Sequence, residues 1–210
     1  MLTLTRALAL CLCLSSPALA ECVTPGSLAN GVIFTREDGY HGLIRAVGDT
    51  FEIDYVTNPT GSLRDQRQSK LGIYDMYRNA SPVDPSVPGF IPGDEGVYGY
   101  KFRAKPPIPK AGKTWGTKIH VLRSYENMPT VKQVSSYKVT YRYLATKTAK
   151  LSGCTYAIQP VEAHFIADYI DLTRRWIYFP DLGFGLETRV IDSNGKGNRE
   201  LGLTSLTPKG

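Results

Sequence analysis

Across residues 97–105 and 136–144, apolar and polar side chains exchange places at every step, a pattern satisfied by an extended strand with one dry and one wet face. In the first run Tyr98, Tyr100, Phe102 and Ala104 oppose Lys101, Arg103 and Lys105. In the second, Tyr137, Val139, Tyr141 and Tyr143 oppose Lys138, Thr140 and Arg142. Residues 50–56 and 183–191 repeat the pattern, the latter setting Phe184, Leu186, Thr188 and Val190 against Glu187 and Arg189. Shorter or less regular alternation marks 31–36, 39–47, 71–78, 115–125, 154–165, 175–179 and 199–206 as further strands. Asn194-Gly195, within 192–197, supplies the positive φ of a tight hairpin between the last two strands.

No repeated strand–helix spacing appears, and 20 Gly and 14 Pro punctuate the strands. The expected fold is all-β: an antiparallel open barrel or sandwich with long Pro-rich surface loops at 81–92 and 105–110. One segment fits two readings. Val161, Phe165, Ile166, Tyr169 and Ile170 fall at helical spacing, with Glu162 early and Arg174 and Arg175 late as a helix dipole prefers, leaving room for one short helix. The aromatic and β-branched residues from Cys154 to Ile158 favour a strand leading into it, and periodicity leaves 161–172 open.

The first 20 residues read as a signal peptide: a basic start closed by Arg6, an apolar run from Ala7 to Leu14, Pro17, and small residues at Ala18-Leu19-Ala20. Residues 21–210 then form a single β-rich domain, exported to the periplasm or the extracellular space, with no apolar run long enough to span a bilayer. Cys22 and Cys154 remain and are expected to pair in that oxidising setting. A bridge over 132 residues stabilises by roughly 5 kcal/mol at most. A lipid anchor on Cys22 would require it to lead the mature chain, whereas Glu21 precedes it.

Of the 210 residues 42% are hydrophobic and 21% charged, which excludes a disordered or low-complexity chain. The charge is uneven: residues 101–150 hold 12 basic side chains and 1 acidic one, whereas 21–100 hold 6 basic and 11 acidic. If the strands of this block are neighbours, Lys101, Arg103, Lys105, Lys138 and Arg142 form a basic face that attracts lipid head groups, an anionic envelope polymer or an acidic protein. The alternative is an ordinary solvated face. Nucleic acid is a poor match, because the rings point away from the cations and cannot stack on bases whose phosphates the cations hold.

No catalytic, cofactor or metal motif is present. His41, His120 and His164 lack ligand spacing; Asp38 with His41 reads as a polar turn, and Glu162 with His164 as a same-face strand pair. Asp192-Ser193-Asn194-Gly195 begins like a calcium loop, but Leu203 stands where the closing carboxylate belongs.

The C-terminal third, with Gly153-Cys154-Thr155-Tyr156, Tyr178-Phe179-Pro180-Asp181-Leu182-Gly183 and its closing turn, resembles the periplasmic half-barrel proteins of the outer-membrane lipoprotein carrier family. That resemblance implies an incomplete antiparallel barrel whose apolar concave side shelters acyl chains; it assigns no individual residue, and no segment corresponds to the family's N-terminal helical region. Together these features point to a non-catalytic, exported envelope protein that binds an amphipathic or anionic envelope component. The competing classes are a secreted hydrolase built on Asp38, His41 or His164, and a structural subunit of an envelope complex.

Overall fold

The computed structural model describes residues 21–37, 39, 41–57, 63–82, 96–125, 128–168, 170–192 and 202–210. Residues 1–20, expected to be a signal peptide, Asp38, most of the Pro-rich segment 81–92 and the expected turn at Asn194-Gly195 lie outside the described residues. The chain opens on a 3-10 helix, Pro25–Ala29, and continues as β1 (Val32–Arg36), β2 (His41–Val47), β3 (Thr50–Thr57), β4 (Leu63–Lys70), β5 (Tyr74–Pro82) and β6 (Gly96–Phe102). It goes on through β7 (Thr114–Tyr125), β8 (Met128–Tyr143), β9 (Lys147–Leu151), β10 (Cys154–Ala167), β11 (Ile170–Phe179), β12 (Phe184–Asp192) and β13 (Leu203–Pro208).

These strands make one antiparallel, nearly closed, barrel-like sheet in the order β12-β11-β10-β8-β7-β6-β5-β4-β3-β2-β1-β13, with β9 alongside the first half of β10. The all-β open barrel expected from the alternation is the fold observed. Segment 161–172 is strand on both sides of a turn at Asp168: Val161, Ala163 and Phe165 point inward, Glu162 and Ile166 outward, and β10 is hydrogen-bonded to both β8 and β11. Val161 and Phe165, four apart, satisfy either period, and two flanking strands decide for extension. Among the described residues the 3-10 turn is the sole helical element.

Three sequence expectations are corrected. β12 and β13 are not a hairpin: they lie at opposite ends of the sheet, β12 on β11 and β13 on β1. Strand β6 stops at Phe102, so Arg103 and Lys105 belong to the loop beyond it and Ala104 is exposed. Glu187 lies opposite Phe184 and Leu186 as the alternation requires, but that face is covered by charges of β4 and β11 and is not wet, and a β-bulge at Thr188, between the pairs Trp176↔Glu187 and Arg175↔Arg189, then brings Val190 to the side of Glu187.

The apolar side chains form two clusters. One gathers Val32, Phe34, Ile44, Ile53 and Leu206 with Phe179, Phe184 and Leu186; the other gathers Tyr74, Ile119, Val139, Tyr141, Phe165 and Trp176. Leu186 belongs to the first, while its neighbour Glu187 reaches the charges of β4 and β11, so β12 is covered on both sides. The turn between β4 and β5 docks on this strand, the Gly185 N–H donating to the Leu71 carbonyl at 2.8 Å. Gly72 has φ of 65°, and a Cβ there would collide with the Gly185 backbone. The Pro-rich loop after β6 closes the second cluster: Tyr74 Oη donates to the Pro107 carbonyl at 2.9 Å and lies 2.7 Å from Tyr143 Oη.

Cys22 and Cys154 are joined by a disulfide, with Cα atoms 5.7 Å apart, and the Val23 N–H donates to Tyr156 Oη at 2.9 Å beside it. The start of the described chain is thereby fastened to the head of β10.

Gly72→Ala should lower the stability measured by urea denaturation by about 3 kcal/mol, since it combines a positive φ with a backbone clash. Removing the bridge by the paired change Cys22→Ser and Cys154→Ser should lower it by about 2 to 5 kcal/mol. Peptide mapping without reductant should recover the two cysteines in one linked fragment.

Candidate functional site

Strand β4 has no apolar side: Arg64, Gln66 and Gln68 face out, and Asp65, Arg67 and Ser69 face in. Its inward charges are matched by charges from other strands. Arg67 Nη2 donates to Asp65 Oδ2 at 2.7 Å, and Nη1 to Glu187 Oε2 on β12 at 3.1 Å. Arg174 on β11 donates from Nε to Glu187 Oε2 at 2.6 Å and from Nη1 to Asp75 Oδ2 on β5 at 3.1 Å. Arg78, directly across from Arg67 in the ladder, donates from Nε to both Asp65 oxygens at 3.0 and 3.1 Å. Asp65 thus lies between two guanidiniums whose direct opposition would otherwise be repulsive. Arg67 rests over the Tyr55 ring at 4.9 Å, and Arg36 Nη1 donates to the Glu187 carbonyl at 3.3 Å.

Six charges in one network, four of them buried and Arg78 and Arg174 partly so, survive only because each has an opposite partner and directed hydrogen bonds. Burial alone would drive Glu187 towards its neutral acid, but Arg174 and Arg67 outweigh it and bring the carboxyl down to about 2. Asp65 is likewise held well below the ordinary range, against burial, by Arg67 and Arg78. Burial pushes the phenols of Tyr55 and Tyr100 up to about 12, so both remain protonated.

Above this network the concave side of the sheet leaves a cleft of about 560 Å³. Ile119, Val121, Phe165, Ile170, Leu172 and Val190 supply apolar wall; Tyr98, Tyr100 and Tyr137 supply aromatic wall; Arg67, Arg78, Arg123, Arg174 and Glu187 supply charge. Arg78 and Arg123 both lie over the Tyr98 ring, at 5.4 and 5.3 Å. Arg78 differs from its neighbours in the network. Its side chain is 25% exposed and engaged through Nε alone, so its two terminal nitrogens make no hydrogen bond among the described residues.

The residues singled out from sequence are divided between two faces. Tyr98, Tyr100 and Tyr137 line the cleft, whereas Phe102, Val139, Tyr141 and Tyr143 pack in the second apolar cluster. Lys101, Lys138 and Arg142 stand exposed on the opposite, convex side of β6 and β8, which flank β7; Arg142 Nη1 approaches Glu162 Oε1 at 3.6 Å. Arg103 and Lys105 are exposed in the following loop. The histidines share no site. His41 Nδ1 lies 3.5 Å from the Gly39 carbonyl oxygen, His120 Nδ1 2.8 Å from Ser136 Oγ, and His164 Nε2 2.7 Å from Asp171 Oδ1. Among the described residues no group of three His, Cys, Asp or Glu side chains is placed to hold a metal ion, and no helix is long and apolar enough to cross a membrane.

Asp65, Arg67, Asp75, Arg78, Arg174 and Glu187 escaped sequence reasoning, because alternation identifies a buried face only when that face is apolar. The run Leu63–Lys70, LRDQRQSK, offers no such contrast. Protein-family models, curated proteins and solved structures were all compared with the chain, and none matches it.

Glu187 gives the fold a defined acid limit. Its carboxylate is favoured by folding, so its contribution is complete above the ordinary glutamate value of 4.5 and is lost as pH falls towards about 2. The denaturation midpoint should therefore hold steady from neutral pH to about 5 and decline below it. Glu187→Gln should flatten that decline and remove about 3 kcal/mol at neutral pH by stranding two buried guanidiniums.

Proposed function

We propose that this chain is an exported, non-catalytic envelope protein whose curled sheet holds an amphipathic anionic molecule. Its hydrocarbon part lies against Ile119, Val121, Phe165 and Leu172, and its anionic head accepts hydrogen bonds from the terminal nitrogens of Arg78. The observation carrying this reading is a guanidinium fixed by Asp65 through one nitrogen, at the edge of an apolar and aromatic cleft, with both terminal nitrogens left to offer their N–H groups. Because Asp65 and the Tyr98 ring already orient it, little side-chain freedom is lost when an anion arrives. A volume of about 560 Å³ lies within the range of small-molecule sites. The carrier-like C-terminal third and the signal-like start support the same reading.

The hydrolytic alternative gains nothing from the geometry, since His41 and His164 stand on β2 and β10, strands that are not neighbours in the sheet. A structural subunit would leave the cleft without a ligand.

Native mass spectrometry of protein purified from its own host should find a bound amphiphile. In titrations with the fluorescent fatty acid dansylaminoundecanoate, Arg78→Ala should weaken binding by about tenfold to a hundredfold, the loss expected for charge-assisted hydrogen bonds. Absence of binding by the unmodified protein, or equal affinity in the variant, defeats the proposal.

A further inference from the structure

Each strand that gives one residue to the cleft gives the next to the convex face, where the charges are arranged differently. Lys118 on β7 is directly opposite Lys138 on β8, and Lys101 on β6 is opposite His120, one row along. The Arg103 N–H donates to the Lys118 carbonyl at 2.9 Å, which brings a further cation to the same corner. Like charges directly opposed across a ladder weaken it. Elsewhere on this side cations face carboxylates: Arg142 and Arg175 flank Glu162, and His164 lies against Asp171. Lys101, Lys118 and Lys138 are exposed and make no ion pair among the described residues, with Asp168 in the turn after β10 included.

Aliphatic side chains stand among these lysines. Leu122 and Val134 are direct ladder partners, 41% and 69% exposed, and Ile166, opposite Lys138, is 45% exposed. A solvated sheet face gains nothing from such residues.

We infer that the convex face of β6, β7 and β8 docks on an anionic phospholipid bilayer, with Lys101, Lys118 and Lys138 on the head groups and Leu122 and Val134 entering the interface. A soluble polyanion would use the ammonium groups and leave the aliphatic pair in water, whereas a bilayer surface satisfies both. The lysine stems can lie along the aliphatic pair while their charged ends reach the phosphates. This docking does not depend on the cleft reading. If both hold, the bilayer meets the strands that wall the cleft, since Leu122 follows Val121, Val134 precedes Ser135 and Ile166 follows Phe165.

The test is co-sedimentation with vesicles of phosphatidylglycerol and phosphatidylcholine in equal parts. The full chain should bind them, bind more weakly as salt rises, and pass over pure phosphatidylcholine. Neutralising each lysine should weaken binding by about fivefold, and the triple change Lys101→Ser, Lys118→Ser and Lys138→Ser by about a hundredfold. Leu122→Ser with Val134→Ser should weaken it at all salt concentrations. These exposed positions leave the fold intact, which uptake of dansylaminoundecanoate or, failing that, an unchanged circular dichroism spectrum verifies. Arg78→Ala should bind vesicles as the parent does, so failure of the cleft reading and failure of docking are separately visible. Vesicle binding unaffected by the triple change, no binding to the mixed vesicles, or binding to soluble polyphosphate in its place would overturn the inference.

Discussion

The architecture depends on the exchange of charge between β4 and β5 on one side and β11 and β12 on the other. Arg67 reaches Glu187, and Arg174 reaches Asp75, so strands far apart in the hydrogen-bonded order meet through side chains. Such a network adds little net stability beyond what an apolar contact of equal size would give. What it supplies is a defined arrangement: apolar surfaces tolerate sliding, but a misplaced β12 would leave buried guanidiniums and carboxylates without partners. The backbone contact of Gly72 with Gly185 fixes the same junction at close range.

The network also accounts for the character of the cleft. Fully paired charges beneath apolar walls form a rigid polar floor that does not collapse, and water or a ligand must cover it. Arg78 is part of that floor and also reaches its edge, because only one of its nitrogens is committed to Asp65. One residue thus joins the floor and keeps its terminal nitrogens unbonded among the described residues, and Asp65 holds it in place.

Much of the sheet was legible in the sequence and much of the site was not, for one reason. Alternation reveals a strand when one side is apolar, as in β6 and β8, where Tyr98, Tyr100, Tyr137 and Tyr141 mark the inward positions. It is silent for β4, whose inward positions are Asp65 and Arg67, and for the short β9, Lys147–Leu151, which lacks a clear apolar stripe. It misleads at Glu187, whose side of β12 is covered and not wet, and at Val190, which the bulge at Thr188 carries to that same side. The Asn194-Gly195 signal is local chemistry, and the sheet partners of β12 and β13 are decided by distant segments. The basic side of the middle strands was readable, but the three lysines that stand together include Lys118, whose strand alternates less regularly. No spacing rule could have joined Arg78 to Arg174, since only folding brings them to one cleft.

The pairing of β1 with β13 governs the timing of assembly. Val32 lies against Pro208, so the outer rim of β1 stays unzipped until β13 has been made. Contacts of such long sequence separation form slowly, and an incomplete chain presents a raw strand to any neighbour. A holding chaperone or a swift oxidase acting on Cys22 and Cys154 would shorten that vulnerable interval.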